Sequence, residues 1–197
     1  MKKIIGGILG IFLVIGIVAG TGYALFTDTV NINGMVLGTA TPNLLISFDN
    51  QTYTTSLPIN GEKFAPLLPG ELDWGEFWLK NDSNGTTDKL DFDLKGRIIS
   101  YSPEANWLLL KDAIELRLCI YKDGDGEDKC DETAGNVTPW WDLAIWQSAE
   151  RDLPGGVLTQ EKAQHYTIQL RIPSNYDNTI MNKSITMNMV INGTQSL

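Results

Sequence analysis

Short segments in which apolar and polar residues alternate recur along most of the chain. The clearest is IELRLCIY at residues 114–121, and six further segments are less regular: residues 26–32, 43–48, 70–81, 89–99, 166–172 and 184–191. A period of two is typical of a β-strand that buries one face. Two other segments have helical features, one beginning at Ser102-Pro103-Glu104 and one at Pro139. Seven or eight short strands with two helical insertions predict an all-β fold, a jelly-roll-like β-sandwich.

Turn-forming residues suggest how some of these strands pair. The segment NDSNGTT separates the strands at 70–81 and 89–99, which predicts that the two are antiparallel neighbours. Gly75 interrupts the first of them and is expected to form a β-bulge that shifts its register. At the helix start, Ser102 is expected to cap a helix that has Pro103 in its first position and runs to about Lys111.

The N-terminus has the layout of a secretory signal. Lys2 and Lys3 precede an uncharged apolar run at residues 4–19, and the small-residue pattern Gly-Tyr-Ala ends at Ala24. We therefore expect a signal peptidase to cut between Ala24 and Leu25. Before cleavage the chain would touch the membrane only through its signal segment. After cleavage the freed chain would be exported.

Two other interpretations of this segment stay open. The apolar run is close to the length that spans a bilayer, so it could be a retained anchor. The sequence KKIIGGILG could also be the processing site of a type IV-like pilin, cut after Gly7. With cleavage after Ala24, the chain divides into a signal peptide (1–24), an N-terminal strand and linker (25–38) and one β-sandwich domain (39–197).

Composition and cysteine content fit an exported protein. The formal charge of −9 argues against nucleic acid or anionic lipid as a main partner. Cys119 and Cys130 are the only cysteines, and in an oxidising compartment we expect them to form a disulfide that clamps one short loop. Sequons for N-glycosylation number six against about two expected by chance. They are at Asn50, Asn81, Asn84, Asn136, Asn182 and Asn192.

Residues for catalysis or metal binding are sparse. His165 is the only histidine, so a zinc site with two histidine ligands cannot form, and nothing marks a serine nucleophile beside it. We predict no catalytic residue and no cofactor. The acidic loop from Asp123 to Asp128 could bind calcium, but it departs from the EF-hand pattern and a solvated hairpin tip explains it as well. Trp140, Trp141 and Trp146 could stack on a sugar, although packing on a sheet explains their helical spacing better.

Several short motifs, in order along the chain, resemble the TasA/camelysin family of exported matrix-fibre proteins and their archaeal bundling-pilus relatives. They are the signal end GTGYALFTDT, the segment LGTATPNLLIS, the turn LLPGELDWGEFWLKNDSNGT, and the late segments PGGVLTQEKAQHYTIQLRI and NKSITMNMVI. The family's aromatic, Ser/Thr/Asn and Asp after the signal map to Phe26, Thr27 and Asp28.

The resemblance implies a jelly-roll subunit whose N-terminal strand leaves its own body and completes the sheet of the next subunit. The donor strand would contain Phe26, Asp28, Val30 and Ile32. Addition to a free sheet edge satisfies the strand's backbone groups, and a head-to-tail contact of this kind does not close, so identical subunits form a filament at the cell surface. The competing functions are a monomeric surface adhesin or glycan-binding sandwich and, less favoured by the single histidine, a secreted hydrolase.

Overall fold

The described residues of the computed structural model form two antiparallel β-sheets. The structure describes residues 42–56, 64, 67–83, 90–123, 129–176, 180 and 182–196, together with the backbone of residues 27–31. The strands are β1 (Thr27–Asn31), β2 (Leu44–Ser47), β3 (Leu72–Asn81), β4 (Phe92–Ser102), β5 (Glu115–Ile120), β6 (Trp141–Asp142), β7 (Arg151–Asp152), β8 (Ala163–Arg171) and β9 (Thr186–Gln195). One sheet has the order β1-β9-β4-β7 and the other the order β2-β3-β8-β5-β6. These findings confirm the all-β prediction.

Alternation along the strands explains the core between the sheets. In β8, Tyr166, Ile168 and Leu170 are buried and face Phe77 and other inward residues of the neighbouring strands. Phe77 and Tyr166 pair in register, and their rings stack with centroids 5.3 Å apart. The opposite sheet contributes residues of β4 and β9 to the same cluster: Phe92, Leu94, Ile98, Met189 and Ile191.

Two short helices pack beside the sheets. Helix α1 (Glu104–Leu110) buries Trp107 and Leu110, and helix α2 (Leu143–Ser148) buries Leu143 and Trp146. Leu110 belongs to a smaller apolar cluster with Ala113, Ile172 and Ile180. Trp146 is fully buried, and its Nε1 donates to the Leu116 carbonyl at 2.9 Å, so this indole belongs to the core.

Two predictions about strand pairing were wrong. The strands on either side of NDSNGTT are β3 and β4, and they lie in different sheets. The register of β3 against β8 runs from Leu72 to Lys80 without a shift, so Gly75 forms no bulge. The irregularity is in β4 instead, between Ile98 and Ser100. The turn composition was read correctly as a connection, but the connection crosses from one sheet to the other.

The start of α1 also differs from the prediction. Pro103 is the N-cap residue, and no side chain makes a capping hydrogen bond there. Ser102 is the last residue of β4 and pairs with Thr186, so its backbone is committed to the sheet. The predicted helix from Pro139 is shorter than its pattern suggests, since Trp141 and Asp142 form β6 before α2 begins.

Candidate assembly edge

The N-terminal strand β1 lies at the edge of its sheet. It pairs antiparallel with β9 over five residues, from Thr27 opposite Thr194 to Asn31 opposite Val190. Among the described residues, β9 is the one strand to which β1 is paired. A strand with one hydrogen-bonded neighbour has few contacts to lose when it leaves the sheet, and it uncovers the edge of β9.

On the β9 side of this edge, the inward-facing residues reach the core. Ile191 is fully buried, and Met189 is buried two residues before it. Gly193 continues the same face: a Cβ atom there would lie 3.1 Å from Phe92 Cγ and 3.4 Å from Leu44 Cδ2. Leu44 belongs to β2, the edge strand of the other sheet. The edge therefore borders apolar residues of both sheets.

The register pairs two of the predicted donor residues with β9 residues of this face. Val30 is opposite Ile191, and Asp28 is opposite Gly193. Directly paired residues of an antiparallel sheet share a face, so Asp28 and Val30 are on the face of the core. Phe26 and Ile32 lie outside the described residues. So do Ala24 and Leu25, where cleavage is predicted.

The outer face of the second sheet carries a ladder of stacked rings across three strands. His165 of β8 pairs with Trp78 of β3, and the two ring centroids are 3.8 Å apart. Tyr121, just after β5, stacks on the other side of the imidazole, also at 3.8 Å. His165 Nε2 is 3.0 Å from a carboxylate oxygen of Glu76. This ladder could not be predicted from the sequence, because the stacking depends on which strands are neighbours.

The environment of His165 opposes its protonation. Burial between the two rings lowers the pKa of His165 from its usual value of 6.5, although the Glu76 carboxylate acts in the opposite direction. Among the described residues, the imidazole is held by stacking on Trp78 and Tyr121 and by the Glu76 carboxylate.

A disulfide lies beside the buried polar residues of this sheet. Cys119 and Cys130 are bonded to each other, as predicted. Next to Cys130, the Lys129 carbonyl accepts a hydrogen bond from the Thr167 hydroxyl at 2.8 Å. On the same sheet, Arg117 Nε donates to Gln169 Oε1 at 2.6 Å.

Trp140 contacts two guanidinium groups of this sheet. Its ring is 4.3 Å from the Arg117 carbon Cζ and 4.1 Å from that of Arg171. Trp141 meets the buried Trp146 edge to face at 5.4 Å. The three indoles therefore serve separate contacts, and they do not form one flat platform for a sugar ring.

The part of the chain that the structure describes contains no group of three or more His, Cys, Asp or Glu side chains placed to hold a metal ion. Most of the acidic loop from Asp123 to Asp128 is outside it. No helix there is long and apolar enough to cross a membrane.

The chain matches no protein-family model and no curated protein.

Proposed function

We propose that the protein is the structural subunit of an extracellular filament, a pilus or biofilm-matrix fibre, which polymerises by donor-strand complementation. The observation that carries this proposal is the position of β1. It is a five-residue edge strand, at the N-terminal end of the described chain, that lies on β9 beside the core. The resemblance of its sequence to the donor segment of the TasA/camelysin family supports the same conclusion.

The domain we propose is a jelly roll, and the strand order supports this topology. The antiparallel pairs β1–β9, β3–β8, β4–β7 and β5–β6 are nested, with the first strand paired to the last. Without β2, the sheets read β1-β9-β4-β7 and β3-β8-β5-β6. Nested pairs divided between two sheets are what a jelly roll requires. In this topology the first strand is an edge strand and can be exchanged without unthreading the rest of the chain.

Exchange would replace the pairing within one chain by the same pairing between two chains. The register of β1 on β9 is kept, and each subunit that donates β1 keeps its own β9 edge for another donor. Such a contact is heterologous and does not close on itself, so it propagates as a filament. The closed chain is then the monomer before assembly.

The connection between β1 and the body is long enough for this exchange. Asn31 ends β1 and Pro42 begins the next described segment, so eleven peptide units span at most about 36–40 Å when extended. A domain of about 160 residues has a radius of gyration of roughly 15 Å. A linker of this length can cross from one subunit to its neighbour without unfolding either body.

The competing functions have less structural support. An adhesin that stacks sugars on tryptophan needs exposed ring faces. Trp146 is buried, Trp78 is stacked on His165, and Trp140 lies over two arginines. A secreted hydrolase would have to use His165, whose ring is enclosed between Trp78 and Tyr121.

Deletion of residues 25–38 tests the proposal while keeping the signal segment. We expect the shortened chain to be secreted as a soluble monomer that forms no filaments in electron micrographs. A synthetic peptide of residues 25–38, added to full-length subunits, should occupy free β9 edges and shorten the filaments. A peptide of the same composition in scrambled order is the control. Filaments of normal length from the shortened chain would contradict donor-strand assembly and favour an interface elsewhere.

A further inference from the structure

The sequons described by the structure fall into two classes, and three of them serve the fold. Asn81 is fully buried, and its Nδ2 donates to the carbonyls of Leu90 and Leu158 at 2.5 and 3.1 Å. The two bonds use both hydrogens of Nδ2, and a glycan would replace one of them, so at least one bond would be lost at a fully buried site. Asn81 is a structural residue.

Asn136 and Asn192 are engaged in the same way. The Nδ2 of Asn136 donates to the Asp131 carboxylate at 2.7 Å, and the third residue of its sequon, Thr138, is buried and accepts a hydrogen bond from the Leu118 amide. The Nδ2 of Asn192 donates to Glu150 at 2.5 Å. Asn192 also lies within β9, between β1 and β4, where a glycan would stand in the middle of a sheet.

Asn50 and Asn182 form the second class. In each of these two sequons all three residues are exposed, whereas each of the other three described sequons has at least one buried residue. Both asparagines adopt the left-handed backbone conformation of turns, with φ of 57°. Asn50 follows β2, and Asn182 is in the connection before β9. Both are therefore on surface turns that a large enzyme can approach.

We propose that, among the five described sequons, Asn50 and Asn182 are the N-glycan acceptors; Asn84 lies outside the described residues. In the reaction, the side-chain nitrogen Nδ2 attacks C1 of the sugar of a lipid-linked oligosaccharide. A C1–N bond forms as the C1–O bond to the lipid phosphate breaks. The amide gives up one proton, the lipid phosphate leaves, and nothing is oxidised or reduced. Each glycan then projects from a turn, where it adds bulk and solubility without entering the core.

The turn at Asn50 holds its sequon in a fixed conformation. The Asp49 carboxylate accepts hydrogen bonds from the backbone N–H groups of Gln51 and Thr52 at 2.8 and 2.7 Å. The Asn50 side-chain oxygen accepts from the Tyr53 hydroxyl at 2.5 Å. This hydrogen bond holds the amide oxygen of Asn50, whereas the atom that would react is its amide nitrogen, Nδ2.

At the second site, the end of the sequon is held through its backbone. The Ser184 carbonyl accepts a hydrogen bond from the Asn106 side chain at 2.7 Å, which ties the turn to α1. Neither acceptor site lies in the β1–β9 ladder. A glycan at Asn50 or Asn182 is therefore compatible with exchange of β1, and the proposal requires export but does not depend on filament formation.

Site-localised mass spectrometry of the protein purified from its own host tests this proposal. Peptides containing Asn50 and Asn182 should carry a glycan mass, and Asn81, Asn136 and Asn192 should be unmodified. Thr52→Ala removes the hydroxyl that the first sequon requires, so the glycan mass should be lost from Asn50 alone. Thr52→Ser preserves the sequon, so the glycan mass should be retained. Ser184→Ala and Ser184→Thr form the same pair for Asn182.

The distribution of glycans over the sequons of the wild-type protein tests the proposal even if a variant is poorly secreted. Unmodified Asn50 and Asn182 in the mature wild-type protein would overturn the proposal. A glycan on Asn81 or Asn192 would also overturn it, because burial and amide hydrogen bonding would then not determine which sequon is used.

Discussion

Replacing Val30 by Asp should prevent assembly while leaving the body of the domain folded. Val30 is opposite the fully buried Ile191, on the face of the core. Burying a valine side chain stabilises a contact by about 1.5–3 kcal/mol, and this gain is lost in the variant. A carboxylate brought to the same place adds a desolvation penalty of at least about 2 kcal/mol. The two effects together exceed about 3 kcal/mol per subunit contact.

The closed monomer loses the same contact, so the loss is counted relative to a chain whose β1 is undocked. Since 1.4 kcal/mol corresponds to a factor of ten, the concentration of such open chains needed for filament growth should rise more than about 100-fold. Sedimentation of filaments over a range of subunit concentrations measures this threshold, and electron microscopy shows the filaments directly. Intact disulfide and unchanged near-ultraviolet circular dichroism would show that the body remains folded. A secreted, folded monomer is the expected product.

Asn31→Asp is the matched control for this experiment. It adds the same charge one residue later, on the opposite face, opposite Val190, which in turn pairs with Arg97. The exposed Arg97 lies on this face, so a carboxylate there has a cation on the same face and filaments should form close to the wild-type threshold. If Val30→Asp assembles as readily as Asn31→Asp, the contact between β1 and the core does not drive assembly.

Three further changes test the domain itself. Gly193→Ala should lower the melting temperature by a few degrees, because its methyl group would lie 3.1 Å from the Phe92 ring and overpacking costs about 1–3 kcal/mol. Thermal denaturation measures the change, and an unchanged melting temperature would show that the ring moves freely. Burial lowers the pKa of His165, so the unfolded chain binds the proton more readily and the free energy of unfolding should fall as pH drops below 6.5. Urea titrations at several pH values measure this dependence, which should be lost in His165→Gln. If the variant keeps the same pH dependence, other groups cause it. Replacing Cys119 and Cys130 by Ala should lower the free energy of unfolding by about 2–4 kcal/mol, and equal stability of variant and wild type in denaturant would contradict the clamp.

Local patterns in the sequence were enough to predict the longer strands and the approximate places of the two short helices, but not the two-residue strands β6 and β7. Alternation in IELRLCIY corresponds to β5, where the inward residues Leu116 and Leu118 are fully buried. The disulfide also followed from local information, since Cys119 and Cys130 flank one loop. Such features depend on neighbours within a few residues, which a single sequence displays.

Features that depend on pairing between distant strands could not be predicted in this way. The stack of Trp78, His165 and Tyr121 exists because β3, β8 and β5 are adjacent, and nothing in the three segments states that adjacency. The same limit explains why β3 and β4 were assigned to one hairpin. It also explains why nothing in the sequence indicated that Asn81 is buried, since its partners Leu90 and Leu158 come from other segments.

The strand β1 was predicted, but its pairing partner was not. Alternation placed Asp28 and Val30 on one face of a strand, and the register on β9 agrees with that face. The sequence could not identify β9 as the partner, because the pairing joins residues more than 150 positions apart. Within one chain the strand already occupies the edge that the proposal assigns to a neighbour, so the identity of the partner chain is the central question.

Mixed filaments of two cysteine variants answer that question most directly. One subunit carries Thr27→Cys and the other Thr194→Cys, positions that are paired in the register of β1 on β9. If β1 is donated between subunits, oxidation of co-assembled filaments should link the two different chains. A mixture of Thr27→Cys with Thr186→Cys, at the far end of β9, should not be linked. Absence of the first product in intact filaments, with ready disulfide formation inside a single chain that carries both Thr27→Cys and Thr194→Cys, would contradict donor-strand assembly.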